Sequence, residues 1–301
     1  MEAKPNEEHL LSSEKDLPMW AIGAAEKYRK TRNDASTETS FFRGDTSIEA
    51  LDTILPNINH KPNILLVGCG LDADPLMCCY EPFRIGAHLE AKGINYSMTL
   101  VDVDKQVIDD IKNRTKLFVY PINEERRTKF EAPWKKYLSD TNQSGYETTK
   151  LEEGMNFSPE YINGNSPVHY GRYLERGVFV ANVSPLFRTK LENGSIKLIN
   201  DDIATADLKS SGPFDYIDLQ NVLYLMTKSG QQLSIANVTR SLSSGGYLLI
   251  SDIRRENAPV FKSIGGWLDD KKIKELGLEI VKENNLRHED EFSRVELFRK
   301  I

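Results

Sequence analysis

The residues best placed to do chemistry follow short apolar runs. Gly68-Cys69-Gly70-Leu71-Asp72-Ala73 comes directly after Asn63-Ile64-Leu65-Leu66-Val67 and fits G-x-G-x-x-G/A spacing. Glycines there permit a tight turn and close approach of backbone to a ligand; the alternative is a turn that merely joins strand to helix. Asp72 and Asp74 put negative charge where a dinucleotide pyrophosphate would sit, and like charges repel. A cationic ammonium or sulfonium would instead be attracted, although such carboxylates also serve as ordinary helix caps. Asp102 closes a second run, Met98-Thr99-Leu100-Val101, and lies 32 residues past Gly70. The dinucleotide pattern wants an acidic residue after about 20. A carboxylate at that place can still accept hydrogen bonds from both hydroxyls of a ribose. Asp104 is the competing candidate, or a cap for the next helix. Asp201 and Asp202 follow a third run, where a carboxylate could take an adenine amino group or simply lie in a solvated turn. Asp218-Leu219-Gln220-Asn221 ends a fourth; polar residues in that position face a crevice or cap a helix.

Such positions work together only if a sheet brings them to one edge. The run Asn63 to Val67 predicts a parallel strand buried on both faces. Further strands are expected over Met98 to Val101, Ile196 to Asn200, Phe214 to Leu219 and Gly246 to Ser251. Helical spacing marks Asp16 to Arg32, Ser47 to Leu55 (stopped by Pro56), 75 to 92 with Pro82 interrupting, Lys105 to Lys116, and Ser229 to Leu242. Leu276 to Val281 and Ser293 to Arg299 read as a terminal hairpin. Strands alternating with helices predict an α/β sheet with both faces covered. Residues 121 to 185 break the alternation, carrying Pro, Gly, Asn, charge and scattered aromatics over a length no ordinary loop needs. They read as an inserted subdomain or lid between the second and third core strands.

Composition narrows the partners. Thirty-nine Lys plus Arg against forty-five Asp plus Glu leave the 301-residue chain at a net −6, without the broad positive field that draws proteins to nucleic acid. Its three cysteines, Cys69, Cys78 and Cys79, make a poor disulfide framework and no metal-ligand pattern, so they are expected to be buried thiols in a reducing compartment. No secretory leader and no run of about 20 apolar residues is evident, which predicts a cytoplasmic protein bound to no membrane.

Three stretches, in order, resemble class I S-adenosylmethionine-dependent methyltransferases, and more narrowly the chemotaxis-receptor glutamate methyltransferase (CheR-type) family. Thr39-Ser40-Phe41-Phe42-Arg43 followed by Ile54-Leu55-Pro56 is similar to that family's T-x-F-F-R segment. Gly68 to Pro75 is similar to its G-C-S-T-G-E-E-P turn, with Asp74-Pro75 at the Glu-Pro position. Gly212-Pro213-Phe214-Asp215 through Gln220-Asn221-Val222-Leu223, then Gly245-Gly246-Tyr247-Leu248, is similar to G-P-F-D-x-I-x-C-R-N-V-L and P-G-G-Y-L. The match covers residues 37 to 252. It implies a doubly wound, mostly parallel seven-stranded sheet, Rossmann-like, with a reversed terminal hairpin. A helical N-terminal segment (1–60) would precede a methyltransferase domain (61–301) that carries the insertion.

By that resemblance Thr37, Thr39 and Arg43 would touch S-adenosylmethionine or frame the methyl-transfer site. Asp74 would hold the methionine ammonium beside Gly68 and Gly70, Asp102 the ribose and Asp202 the adenine region, with Asn221 close to the cofactor. The acceptor would be a carboxylate, or another nucleophile, of a protein or small molecule. Three departures stand out. The family's N-V-L-I-Y-F is here Asn221-Val222-Leu223-Tyr224-Leu225-Met226, so the candidate active-site Tyr224 comes one place early, a rotation of roughly 100° on a helix. Gln220 replaces an Arg, and Leu71-Asp72 replaces Thr-Gly. Should the acceptor be an amine or hydroxyl, His169, Tyr170, Tyr173 and Tyr224 are the nearest proton acceptors by sequence. Two other classes compete: a catalytically degenerate cofactor-binding regulatory module, and a NAD-dependent oxidoreductase, which Asp72 and Asp74 disfavour.

Overall fold

The computed structural model describes residues 43–69, 81–119, 124–148, 178–220, 222–223, 226, 228–253, 268–281 and 293–301. Seven strands of these form the main sheet: β1 (Asn63–Val67), β2 (Ser97–Asp102), β6 (Ile196–Asn200), β7 (Phe214–Gln220), β8 (Leu242–Ile253), β9 (Leu278–Ile280) and β10 (Ser293–Lys300). Their order is β6-β2-β1-β7-β8-β10-β9. Numbered within this sheet alone, that is third, second, first, fourth, fifth, seventh, sixth. The first five are mutually parallel, and β10 runs antiparallel to both neighbours. The architecture is a doubly wound α/β fold, and the terminal hairpin expected from sequence is present.

Two apolar layers cover the sheet. On one face Ile64 and Leu66 of β1, with Tyr216 and Leu249, pack against Leu51 of α1 (Arg43–Ile54) and Phe83 and Leu89 of α2 (Glu81–Ala91). Val107 and Ile111 of α3 (Lys105–Asn113) join the same cluster. On the other face Leu65, Val67, Ile217 and Leu219 meet Ile235 and Val238 of α6 (Lys228–Ser241) and Ile273 of α7 (Asp270–Glu275). Alternate residues of β1 thus serve opposite cores, which is why that strand reads as a nearly continuous apolar run. Pro82 does not split α2: it sits in the first turn, where its missing N–H would have no helical partner.

Three boundaries depart from the sequence reading, the first being α1, which begins at Arg43, four residues before the predicted Ser47. The helix expected to reach Lys116 ends at Asn113, and Lys116 to Val119 form β3 instead. That strand pairs antiparallel with β5 (Val178–Asn182), which also pairs with β4 (Tyr146–Thr148). β3 joins Phe118 to Val180, a pairing that no local pattern announces. Strand β8 begins at Leu242, four residues before the predicted start, because Leu242 pairs with Phe214 across a register shift.

The second sheet, β3-β5-β4, is therefore built from chain lying between β2 and β6, together with α4 (Glu124–Asp140). Trp134 and Tyr137 of α4 are buried, and the Tyr137 hydroxyl donates to the carbonyl of Asn182 at 2.8 Å. Ser184 then caps α5 (Pro185–Glu192) through the N–H of Phe187, and Phe187 packs on Phe83 with ring centroids 4.9 Å apart.

Candidate functional site

The strand order reverses direction at β1: the chain steps outward to β2 and β6, then returns to β7 on the other side. Ligands of open α/β sheets bind outside the carboxyl ends of the strands at such a switch point. Three predicted site residues can be placed there. Gly68 follows β1 with φ +67°, and its N–H donates to the carbonyl of Val101 at 2.9 Å, tying the turn to β2. A Cβ at Gly68 would stand 2.3 Å from Cγ2 of Val222, so glycine is required by the chain itself as it leaves β7. Sequence allows either close approach of a ligand or a turn that joins strand to helix; among the described residues, what approaches the glycine is Val222.

Asp102 ends β2, only 7% exposed, with Oδ1 accepting from the N–H of Asp104 at 2.8 Å. Asp104 is also buried and precedes α3; its carbonyl accepts from Ile108, which gives it the capping place rather than the end of the strand. Asp202 sits after β6, half-buried, and its Oδ1 accepts from Ala204 N–H at 2.9 Å, while Asp201 is exposed. The N–H of Asp201 reaches the carbonyl of Asp102 at 3.2 Å, so the ends of β2 and β6 lie side by side.

Two residues that sequence reasoning passed over belong here. Asn200 donates through Nδ2 to the carbonyls of Asp102 and Val103 at 3.0 and 2.9 Å, fixing the backbone beside the candidate ribose carboxylate. Its signal is a polar side chain at the last position of a strand. Val103 is 40% exposed, an apolar surface next to Asp102. A carboxylate, an uncovered apolar side chain and a second carboxylate along one edge suit a ligand with a diol, a flat ring and amino donors.

Thr37, Thr39, Gly70, Asp72, Asp74, Asn221 and Tyr224 lie outside the described residues, as do Cys78, Cys79, His169, Tyr170 and Tyr173. Of Arg43 the backbone is described: it opens α1. Cys69 is buried, as expected.

Asp218 and Gln220 correct an expectation. They neither line an open crevice nor cap a helix, but enter a buried network beneath the switch point. Gln220 Nε2 donates to Ser47 Oγ of α1 at 2.6 Å, to Glu81 Oε1 of α2 at 3.1 Å and to Asp218 Oδ2 at 3.2 Å. Ser47 Oγ donates on to Glu81 Oε1 at 2.7 Å, and the Tyr216 hydroxyl donates to Asp218 Oδ2 at 2.8 Å. Burial, helped by Asp218, pushes the Tyr216 phenol well above its ordinary value, so it remains a donor.

Along α2 the polar seam continues. Fully buried Arg84 pairs with Asp45 of α1; burial lowers its guanidinium from the ordinary value and Asp45 opposes the change. Two turns from Glu81, buried His88 places Nε2 2.7 Å from Asp52 of α1 and Nδ1 3.9 Å from Asp140 of α4. Burial holds the imidazole below its usual value against the pull of Asp52. Burial alone would raise Asp52, but Lys92 and His88 bring it below the ordinary carboxylate value.

A cleft of about 440 Å³ opens at the opposite, amino edge, lined by Leu55, Ile58, His60, Lys61, Pro62, Ile94 and Asn95. None of the predicted site residues lines it. The predicted site residues that can be placed lie at the carboxyl edge. Among the described residues no helix is long and apolar enough to cross a membrane.

No protein-family model and no curated protein matches the chain. Among solved structures it is similar to the N-methyltransferase NodS from Bradyrhizobium japonicum WM9 in complex with S-adenosyl-L-homocysteine, at 13% identity over 86% of this chain and 87% of that one, TM-score 0.40. It is similar to magnesium protoporphyrin IX methyltransferase (ChlM) from Synechocystis PCC 6803 with bound SAM, at 10% identity over 100% of both chains, TM-score 0.42. A third is the 1,6-didemethyltoxoflavin-N1-methyltransferase of Burkholderia thailandensis, at 11% identity over 100% of this chain and 93% of that one, TM-score 0.44. Strand order and register, rather than these distant likenesses, define the fold.

Proposed function

We propose that this chain is an S-adenosylmethionine-dependent methyltransferase. The observation that carries the reading is the meeting of the Gly68 turn with Asp102 at the switch point of a seven-stranded sheet whose seventh strand is reversed. The side chains present suit the cofactor: Asp102 to accept from the ribose hydroxyls, Val103 against an apolar ring face and Asp202 for the adenine region. When bound, S-adenosylmethionine supplies a methyl group already activated on a sulfonium.

The chain's own residues then bind, align and exclude water. Asp74 accepts from the methionine ammonium, Gly68 and Gly70 let backbone pass close, and Thr37, Thr39 and Asn221 complete the cofactor's surroundings. Arg43, at the start of α1, touches the cofactor and holds an acceptor carboxylate bidentately, and Tyr224 frames the acceptor. A carboxylate is ionised at neutral pH and needs no general base. This assignment of acceptor follows the CheR-type resemblance and covers a protein or a small molecule. Residues 121 to 185 act as an insertion that selects the acceptor, attached to a domain spanning 61–301 behind a helical N-terminal segment. The protein works in the cytoplasm.

A regulatory module that binds the cofactor without turning it over is the second reading, motivated by the displaced Tyr224 and by Gln220 in place of Arg. Calorimetry of the full chain with S-adenosylhomocysteine decides. Binding is expected, and its absence at millimolar ligand sinks both readings. Binding without methylation of any acceptor favours the module.

A further inference from the structure

The network beneath the switch point does more than fill space. Ser47, Glu81, Tyr216, Asp218 and Gln220 are all at least nineteen-twentieths buried and come from three separate elements. Burying two carboxylates is costly unless their oxygens are bonded. Here a single neutral amide serves both, and its two hydrogens are shared among Ser47, Glu81 and Asp218. Ser47 in turn gives its own proton to Glu81, so α1 and α2 are fastened to the last residue of β7 and to each other. Arg43 stands one helical turn before Ser47, and the Arg84–Asp45 pair holds the same turn of α1.

We infer that Gln220 is a positioning residue for the candidate site: through Ser47 and Glu81 it sets where the start of α1, carrying Arg43, sits over the carboxyl end of β7. The inference rests on the methyltransferase reading. An amide suits the task because it donates in two directions without adding charge. A glutamate of the same shape would offer a third carboxylate, and a leucine would leave two carboxylates short of a donor.

The test uses the full chain and S-adenosylhomocysteine, with thermal unfolding measured alongside. Gln220→Leu and Ser47→Ala should each weaken binding by about tenfold, and Ser47→Thr, which restores the hydroxyl, should recover wild-type affinity. Ser47→Ala with Ser47→Thr decides the matter if Gln220→Leu does not fold. Asn63→Ala is the control: at the amino edge it removes bonds to the carbonyls of Ser211 and Pro213 and should lower the melting temperature while leaving affinity within about twofold. Wild-type affinity in both Ser47→Ala and Gln220→Leu overturns the inference and leaves the methyltransferase reading standing. So does an equal loss of affinity in Asn63→Ala, which would reduce the effect to general destabilisation. If the wild-type chain binds no S-adenosylhomocysteine, the functional reading falls and the inference with it.

Discussion

Strand β7 carries polar clusters at its two ends, and they are built on different principles. At the amino end Asp215 accepts from the backbone N–H of Asn63 at 2.8 Å and meets His60 and Ser243, both at 3.1 Å. Asn63 donates to two carbonyls, and His60 is largely exposed. The three bonds made by Asn63 satisfy backbone groups that any pair of strand beginnings would leave open. At the carboxyl end none of the bonds joining Gln220, Ser47, Glu81, Asp218 and Tyr216 serves the backbone. They run from side chain to side chain, fully buried, among elements that could each satisfy their own main chains without them. Bonding of the first kind finishes a sheet. Bonding of the second kind fixes where helices stand over it.

The largest effect is expected where that upper edge is tightest. Gly68→Ala would meet both the left-handed φ and the overlap with Val222, a short branched side chain that cannot swing away. A loss of about 2–4 kcal/mol in denaturant unfolding should follow, with S-adenosylhomocysteine binding lost as well. Adding Val222→Ala should recover the share due to overlap but not the share due to φ.

Next come the two ends compared directly. Asp215→Ala and Asp218→Ala should each lower stability by about 1–3 kcal/mol, through bonds left unmade. Only the second should also weaken S-adenosylhomocysteine. Equal affinities would erase the distinction between the two clusters.

Asp102→Ala should reverse that balance of effects: about a tenfold weaker ligand, with about 1 kcal/mol of stability lost along with the bond from Asp104. Unchanged affinity would remove Asp102 from the ribose site.

The smallest effect lies at the far end of the seam. Because burial keeps His88 below its ordinary value, the unfolded chain takes up that proton first as pH falls. The contribution is complete above about pH 6.5 and declines below it, by at most about 1.4 kcal/mol per pH unit. His88→Gln should flatten this slope between pH 6.5 and 5 in melting curves; parallel curves would show that His88 does not set it.

Much of the sheet was legible because its strands are apolar on both faces. Ile64 to Val67 and Met98 to Asp102 are buried throughout, and a continuous apolar run is what such a strand requires. Lys116 to Val119 could not be read in the same way: the run is short, and its partner at Val180 lies beyond α4 and β4. The positions of Asp102 and Asp202 at strand ends were legible from spacing alone. The direction taken by Asp218 and Gln220 was not, since a polar residue on a buried strand announces a partner without naming it. Ser47 and Glu81 supply those partners from helices whose packing only the assembled sheet determines.

The central pair of the sheet is also the one most separated in the chain: Asn63 and Asp215, bonded at the start of β1 and β7, are 152 residues apart. Closing a loop of that length precedes any reward from the pairing, and folding slows accordingly. The β9–β10 hairpin and the β7–β8 pair can form early, since little chain separates their strands. The crevice between β1 and β7 has to wait for its two walls to arrive from opposite halves of the polypeptide. A newly made chain therefore acquires most of its architecture before it acquires a place to hold a ligand.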